Sequence, residues 1–341
     1  MAQGNVLIFR IGSIGDTIVA LPCFHLIARK FARMRRVLVT NISEVEKAAP
    51  VESVLGDGGL IDDVIYFPSA RRRMRDIWEL RSKLATTKSK TLIYIADRSR
   101  SAILRDTLFF RACGIGEIFG ASLNRENLPR IDAATGEVEP EAERLVRCLA
   151  ALGPIDLNDP AMWDLRLSAS EVRESDAALA PLGSRPFIAV NLGGKVLSKD
   201  WGDHNWRALF RLMSDDYQEL ALLFVGSRDE RERSSRISAN WPGQSLNLCG
   251  RLSPRETAAA IRRARLFIGH DSGPMHLAAA VGVRCVCMFG DFNKPRAWHP
   301  YGAQHHIVHN LNGVRAVQPS QIYAAIVSVT STGERILELE H

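Results

Sequence analysis

The sequence predicts two doubly wound α/β domains, and three observations carry that expectation. Short apolar runs recur at intervals too wide for hairpins, helical patterns lie between many of them, and the runs are apolar at successive rather than alternate positions. Strands buried on both faces and alternating with helices form parallel sheets in βαβ units. A chain of 341 residues is long enough for two such domains, each with its own core.

Taken in order, residues 5–10, 37–40, 64–67 and 91–96 read as strands of the first half. Residues 187–191, 220–226, 266–269 and 284–289 read as strands of the second. Helical spacing runs over 17–31, 75–84, 205–213, 257–263, 274–281 and, near the end, 319–330. The stretch 152–186 is rich in Pro, Asp and Ser and reads as the joint. The expected division is 1–160, then 161–318, then a terminal helix and tail, 319–341, packing back on the first domain. The two domains are expected to face each other across a cleft.

Composition narrows the class. The chain is 46% apolar and 24% charged, which excludes a disordered, collagenous or coiled-coil protein. Its 44 Lys and Arg against 38 Asp and Glu give +6, a mild excess that suits an anionic partner without demanding nucleic acid. Six cysteines with no CxxC pair, most in apolar surroundings, read as reduced core thiols. The N-terminal stretch lacks a basic segment ahead of a long apolar run, and no window approaches the ~18 apolar residues of a membrane span. A cytoplasmic protein is expected, at most in peripheral contact with the inner membrane surface.

Ligands of such sheets bind where strands end and helices begin. Four strand-end loops therefore hold the candidate chemistry. In Arg10-Ile11-Gly12-Ser13-Ile14-Gly15-Asp16, Asp16 stands at a helix start, as a cap or as a functional carboxylate. The spacing fits neither a dinucleotide fingerprint nor a Walker loop. The run Asn191 to Trp201 carries Gly193, Gly194, Ser198 and Lys199: amides, a hydroxyl and a cation suited to a diphosphate, or a solvated loop. In His270-Asp271-Ser272-Gly273-Pro274-Met275-His276, a proline in the first helical turn leaves free amides at a prepared anion site; capping explains Asp271 and Ser272 but not the histidines. The fourth, Phe289 to Trp298, carries mixed charge.

Residues 69–130 hold fourteen Lys and Arg against six Asp and Glu. The densest knot is Arg71, Arg72, Arg73 and Arg75, with Arg98 and Arg100 after the next strand; guanidinium groups there suit phosphate or carboxylate oxygens, or a solvated helix face. No aromatic stacking pattern accompanies them, so nucleic acid is not the expected partner. Cys285 and Cys287 share one strand face as small buried hydrophobes, and His299, His305, His306 and His309 lack a metal-ligand spacing.

With those loops in hand, the chain resembles glycosyltransferase family 9, the heptosyltransferases of lipopolysaccharide core synthesis. The resemblance rests on IGSIGDTIVALP at 11–22, Lys199-Asp200-Trp201 after a Gly-rich loop, and DSGPMHLAAA at 271–280 followed by Phe289-Gly290. It implies a GT-B architecture, metal-independent transfer without a cofactor, and a nucleotide-diphosphate-heptose donor, ADP-heptose, held mainly by the second domain. By position, Asp16 matches the catalytic acidic residue and Lys199 the lysine on the donor diphosphate. Asp271 matches the residue orienting sugar hydroxyls, and Ser272, Gly273 and His276 match phosphate contacts. The knot from Arg71 to Arg75 resembles the segment that meets an anionic, phosphorylated acceptor; Ser13, Arg98 and Arg100 are expected beside it. Glu230 and Leu252 are placed to meet ribose and base. Gly193-Gly194 stand where several relatives carry hydroxyls, and Phe289-Gly290-Asp291-Phe292 departs from the usual FGPT. Alternatives are a GT-B transferase with another nucleotide sugar or a non-lipid acceptor, and a non-catalytic nucleotide-sugar binder.

Overall fold

The computed structural model describes residues 4–42, 50–68, 74–124, 127–194, 196–239 and 241–331. It divides into two compact units, Met1–Arg166 and Leu167–His341.

The first unit is a five-stranded parallel sheet in the order β3-β2-β1-β4-β5. Its strands are β1 (Asn5–Phe9), β2 (Arg35–Ile42), β3 (Asp63–Pro68), β4 (Thr91–Tyr94) and β5 (Glu117–Phe119). Between them run α1 (Ile14–Val19), α2 (Leu21–Lys30), α3 (Glu52–Leu55), α4 (Met74–Thr87) and α5 (Arg100–Ala112), with α6 (Glu141–Cys148) following the sheet. The single helix expected at 17–31 is two: α1 ends at Ala20, and Pro22 opens α2, where a missing amide costs nothing. Leu7, Phe9, Val39, Leu92 and Tyr94 pack against Leu84, Ile103 and Phe110 of the covering helices.

The second unit repeats the plan with six parallel strands, β11-β10-β9-β6-β7-β8. These are β6 (Phe187–Val190), β7 (Ala221–Phe224), β8 (Ser245–Asn247), β9 (Leu266–His270), β10 (Cys285–Phe289) and β11 (His306–His309). The helices are α7 (Ala169–Leu179), α8 (Asp203–Tyr217), α9 (Arg231–Ser238), α10 (Pro254–Ile261), α11 (Gly273–Ala280) and α12 (Pro319–Ser331). The three strands that apolar runs did not reveal, β5, β8 and β11, all lie at sheet edges and are only partly covered. An edge strand lacks the two-sided burial that writes a continuous apolar run.

Part of the stretch expected to hold the joint is helical, and the terminal helix packs within the second unit. The stretch 152–186 is not all connector: α7 lies inside it, capped by Ser168, whose amide donates to Glu171 Oε2 at 2.7 Å. Arg255 Nε of α10 meets Glu171 Oε1 at 2.5 Å, so a polar helix is held by charge as well as packing. The terminal helix α12 places Ile322, Ala325 and Ile326 in the core of its own unit, beside Trp206, Phe210 and Met213 of α8. That apolar face is therefore occupied within the second unit. All six cysteines are free thiols.

Candidate active site

In both sheets the strand order reverses beside the first strand of the unit, between β1 and β4 and between β6 and β9. Two loops at such a point leave in opposite directions and open a crevice at the strand ends.

In the first unit, the turn from β1 into α1 carries Gly12, Ser13 and Asp16. The Ser13 amide donates to Asp16 Oδ2 at 2.8 Å and the Ser13 hydroxyl does so at 2.9 Å. Among the described residues Asp16 Oδ1 has no hydrogen-bond partner. Gly12 is obligatory, since its φ of +134° is disfavoured for other residues and a Cβ would stand 2.5 Å from Asp16 Cβ. Beneath the loop, Arg10 is 1% exposed. It donates to the carbonyls of Ile95 and Asp16.

The arginines expected at the same strand ends are distributed unevenly. Arg98 Nε lies 3.8 Å from Asp106 Oδ2, a buried carboxylate that also accepts from the Tyr94 hydroxyl at 3.0 Å. Arg100 donates to the Leu123 carbonyl at 2.7 Å. Arg75 is exposed in the first turn of α4. Arg71, Arg72 and Arg73 lie outside the described residues.

In the second unit, the reversal brings together the loops after β6 and β9. Lys199 Nζ is 2.6 Å from Asp271 Oδ2 and 4.2 Å from the Phe292 ring centre. Asn293 donates to the same Asp271 oxygen at 2.5 Å. Ser272 caps α11 in extended backbone, and Gly273 and Pro274 open the helix. The Ser272 hydroxyl is buried and, among the described residues, without a partner. His276 lies one turn into α11 and is buried.

The residues beside Lys199 are structural. Asp200 accepts from Arg233 at 2.8 and 2.9 Å, and Arg233 also reaches the Leu192 carbonyl at 3.2 Å. Burial works against the Asp200 charge, but Arg233 and the Gly202 amide outweigh it and hold the carboxyl below its ordinary range. Trp201 is fully buried and donates to the Val317 carbonyl at 2.9 Å. Thus Lys-Asp-Trp divides its work: two side chains anchor the loop, and the lysine between them and the glycines faces the end of β9. Ser198 is exposed beside it.

At Gly193 and Gly226 the bare backbone leaves room for the Glu230 side chain. A Cβ at Gly193 would stand 2.0 Å from Glu230 Oε1, and one at Gly226 1.8 Å from Glu230 Oε2. The Glu230 carboxylate is therefore seated between two bare backbones, and it accepts from the Ser227 amide at 3.1 Å and Asn191 Nδ2 at 3.3 Å. Gly194 sits above His270, whose Cε1 would be 3.0 Å from a Cβ there. Burial pushes His270 below its ordinary value, towards the neutral ring. Leu252 follows β8, in a loop that Gly250 ties to Gly226 through a 2.8 Å amide bond, so it neighbours the segment bearing Glu230.

Comparison with known proteins decides the family. A family model described as glycosyltransferase family 9 (heptosyltransferase) matches residues 91–321. The chain belongs to that family.

Among curated family 9 relatives, lipopolysaccharide heptosyltransferase 1 of Pseudomonas aeruginosa is 32% identical over 108 residues, covering 32% of this chain and 30% of that protein. Lipopolysaccharide heptosyltransferase 2 of Salmonella typhimurium is 23% identical over 197 residues, 54% of this chain and 55% of that one. The matches thus span about a third to a half of these relatives' length. Among solved structures, a family 9 glycosyltransferase from Veillonella parvula superposes with a TM-score of 0.73 at 17% identity, covering 98% of this chain and 99% of that one. The Escherichia coli ADP-heptose lipopolysaccharide heptosyltransferase II gives 0.70 at 15% identity, with 96% and 99% covered. These likenesses show the fold, two parallel-sheet α/β domains of the GT-B type.

Three contributors to the site went unread in the sequence. Arg233 comes from α9 and Asn293 from beyond β10, each acting across a distance that no local motif spans, while Arg10 reaches beneath its own loop to the Ile95 carbonyl of the neighbouring strand end. Asn293 had a faint signal, since it lies in the fourth strand-end loop, Phe289 to Trp298.

Proposed function

We propose that this family 9 chain is an inverting, metal-independent glycosyltransferase that moves heptose from ADP-heptose to a hydroxyl of an anionic lipopolysaccharide-core acceptor. The observation that carries the reading is the Lys199 ammonium, brought to within 2.6 Å of Asp271 beside the start of α11. A cation, an unpartnered serine hydroxyl and free helix amides suit a leaving diphosphate, whose charge grows as the bond to the sugar breaks. Lys199, Ser272 and Gly273 would carry that charge without a metal, with His276 beside them. Asp271 would then orient the sugar hydroxyls, Glu230 the ribose, and Leu252 the base.

The first unit would supply the base. A sugar hydroxyl becomes acidic only as the new bond forms, so a carboxylate suffices to take its proton. Asp16 Oδ2 is occupied by Ser13, which leaves Oδ1 to receive that proton. A single displacement of this kind inverts the anomeric centre. Ser13, Arg75, Arg98 and Arg100 are the described candidates for the acceptor's anionic groups. Met74 and Trp78 on α4, 69% and 61% exposed beside Arg75, support peripheral contact with an anionic membrane surface.

The test is ADP release and product formation from ADP-heptose with a deacylated lipopolysaccharide-core acceptor, beside thermal-shift screening of ADP-, GDP-, UDP- and dTDP-sugars. ADP-heptose should stabilise most and yield a product of inverted anomeric configuration. Transfer from another nucleotide sugar alone would favour the rival transferase; tight binding with neither transfer nor hydrolysis would favour a binding protein.

A further inference from the structure

The buried Arg10 has no role in the chemistry above, and its surroundings are unusual for a guanidinium. Its Nη1 donates to the Ile95 carbonyl just beyond β4, and its Nη2 to the carbonyl of Asp16. Among the described residues its Nε has no hydrogen-bond partner and its side chain forms no ion pair. Burial pulls its pKa down, against the nearby charges of Asp16 and then Glu141. Glu141 is already engaged, accepting from Arg144 Nε and Nη2 at 2.6 Å each.

A charged group with a bare donor in a dry site is costly, and an apolar side chain of similar length would pack there more cheaply. What an apolar chain lacks is a pair of donors joining two backbones. Ile95 belongs to the strand end across the reversal point from β1, and Asp16 to the first helix. The guanidinium thereby ties the turn that presents Asp16 to the neighbouring strand, with positive charge beneath the carboxylate.

We propose that Arg10 is a positioning residue for Asp16, setting the location and charge environment of its carboxylate without touching substrate. The inference rests on the reading of Asp16 as the base. Lysine keeps the charge but offers one nitrogen where two carbonyls must be joined, and methionine keeps only the volume.

The test uses the full chain, with ADP-heptose and the core acceptor at saturation. R10M is expected to lower kcat about tenfold or more, with R10K between it and the parent, while the donor KM and the affinity for ADP stay within about twofold. In an Asp16→Asn background, R10M is expected to cause no further loss, because the group it positions is already disabled. A merely structural arginine would lower residual turnover in both backgrounds, and that result overturns the proposal. So does an R10M or R10K protein with parental kcat. Should R10M not fold, seen as lost ADP binding and an absent melting transition, R10K alone carries the comparison. Parental turnover in Asp16→Asn would remove the base reading itself; an inactive Asp16→Asn beside a fully active R10M would remove only the role of Arg10.

Discussion

Lys199 and Asp271 form an ion pair of 2.6 Å, with both side chains largely withdrawn from solvent. On the proposed reading, the cation that would meet a donor phosphate is thus already neutralised by the carboxylate that would meet the sugar. Asn293 and the Phe292 ring complete the arrangement, one on the Asp271 oxygen and the other against the ammonium. Phe292 is itself 53% exposed, an aromatic surface beside the ion pair.

Removing the cation should weaken nucleotide binding specifically. Lys199→Met leaves Asp271 unpaired and takes away a charge-assisted hydrogen bond of about 1.5–3 kcal/mol. Calorimetry with ADP should show a dissociation constant about 10–100-fold higher, with AMP affected less. Equal ADP affinity in parent and variant would dissociate Lys199 from the diphosphate.

Asp16→Asn should separate binding from chemistry. Asparagine keeps an oxygen for the Ser13 contacts but cannot take a proton, so kcat should fall by about two decades or more while ADP affinity is unchanged. Steady-state transfer assays and calorimetry on the same preparation make the comparison. Near-parental turnover would refute the role.

Gly193→Ala tests the seat of Glu230. With 2.0 Å between the added Cβ and Oε1, the carboxylate must turn away from its Asn191 and Ser227 partners, at an expected cost of about 0.5–1.5 kcal/mol in stability. Trimming the clashing side chain should recover part of it, so Gly193→Ala with Glu230→Ala should be more stable than the sum of the single variants predicts. Urea unfolding of the four proteins measures the coupling; strict additivity would mean that Glu230 has room to leave.

His299 predicts a pH dependence of stability. Burial and then the neighbouring His309, 2.9 Å away between ring nitrogens, push its pKa from 6.5 to about 4. The folded ring therefore stays neutral where the unfolded one takes a proton. Above pH 6.5 it has no effect; as pH falls from 6.5 towards 4 it destabilises the fold by up to about 1.4 kcal/mol per unit, and below 4 the loss levels off. Unfolding titrations at pH 7, 6 and 5 should show a steeper decline for the parent than for His299→Gln. Parallel curves would place the acid sensitivity elsewhere.

The central strands and their loops were legible because a buried parallel strand must be apolar on both faces and its exit must turn towards a helix. Val6–Ile8 and Ile188–Val190 carry that signature, as do the glycines and capping residues that follow them. Edge strands such as Ser245–Asn247 carry no such constraint. Likewise Asp16, Asp271 and Ser272 could be picked out at helix starts and Lys199 on a strand-end loop, since spacing along the chain is enough to place them there.

What the amino-acid order determined by itself was the class of fold, its recurring unit and the strand ends at which polar groups would gather. Tertiary structure alone decided their pairing: that Lys199 meets Asp271, that Gly193 makes room for Glu230, and that Arg10 fastens Asp16 from below. Local patterns follow from the short-range geometry of helix and strand. Lys199 and Asp271, 72 positions apart, meet because β9 lies beside β6, and Gly193 and Glu230 because β7 lies on its other side; Arg10, six positions from Asp16, ties it to Ile95 because β4 lies beside β1.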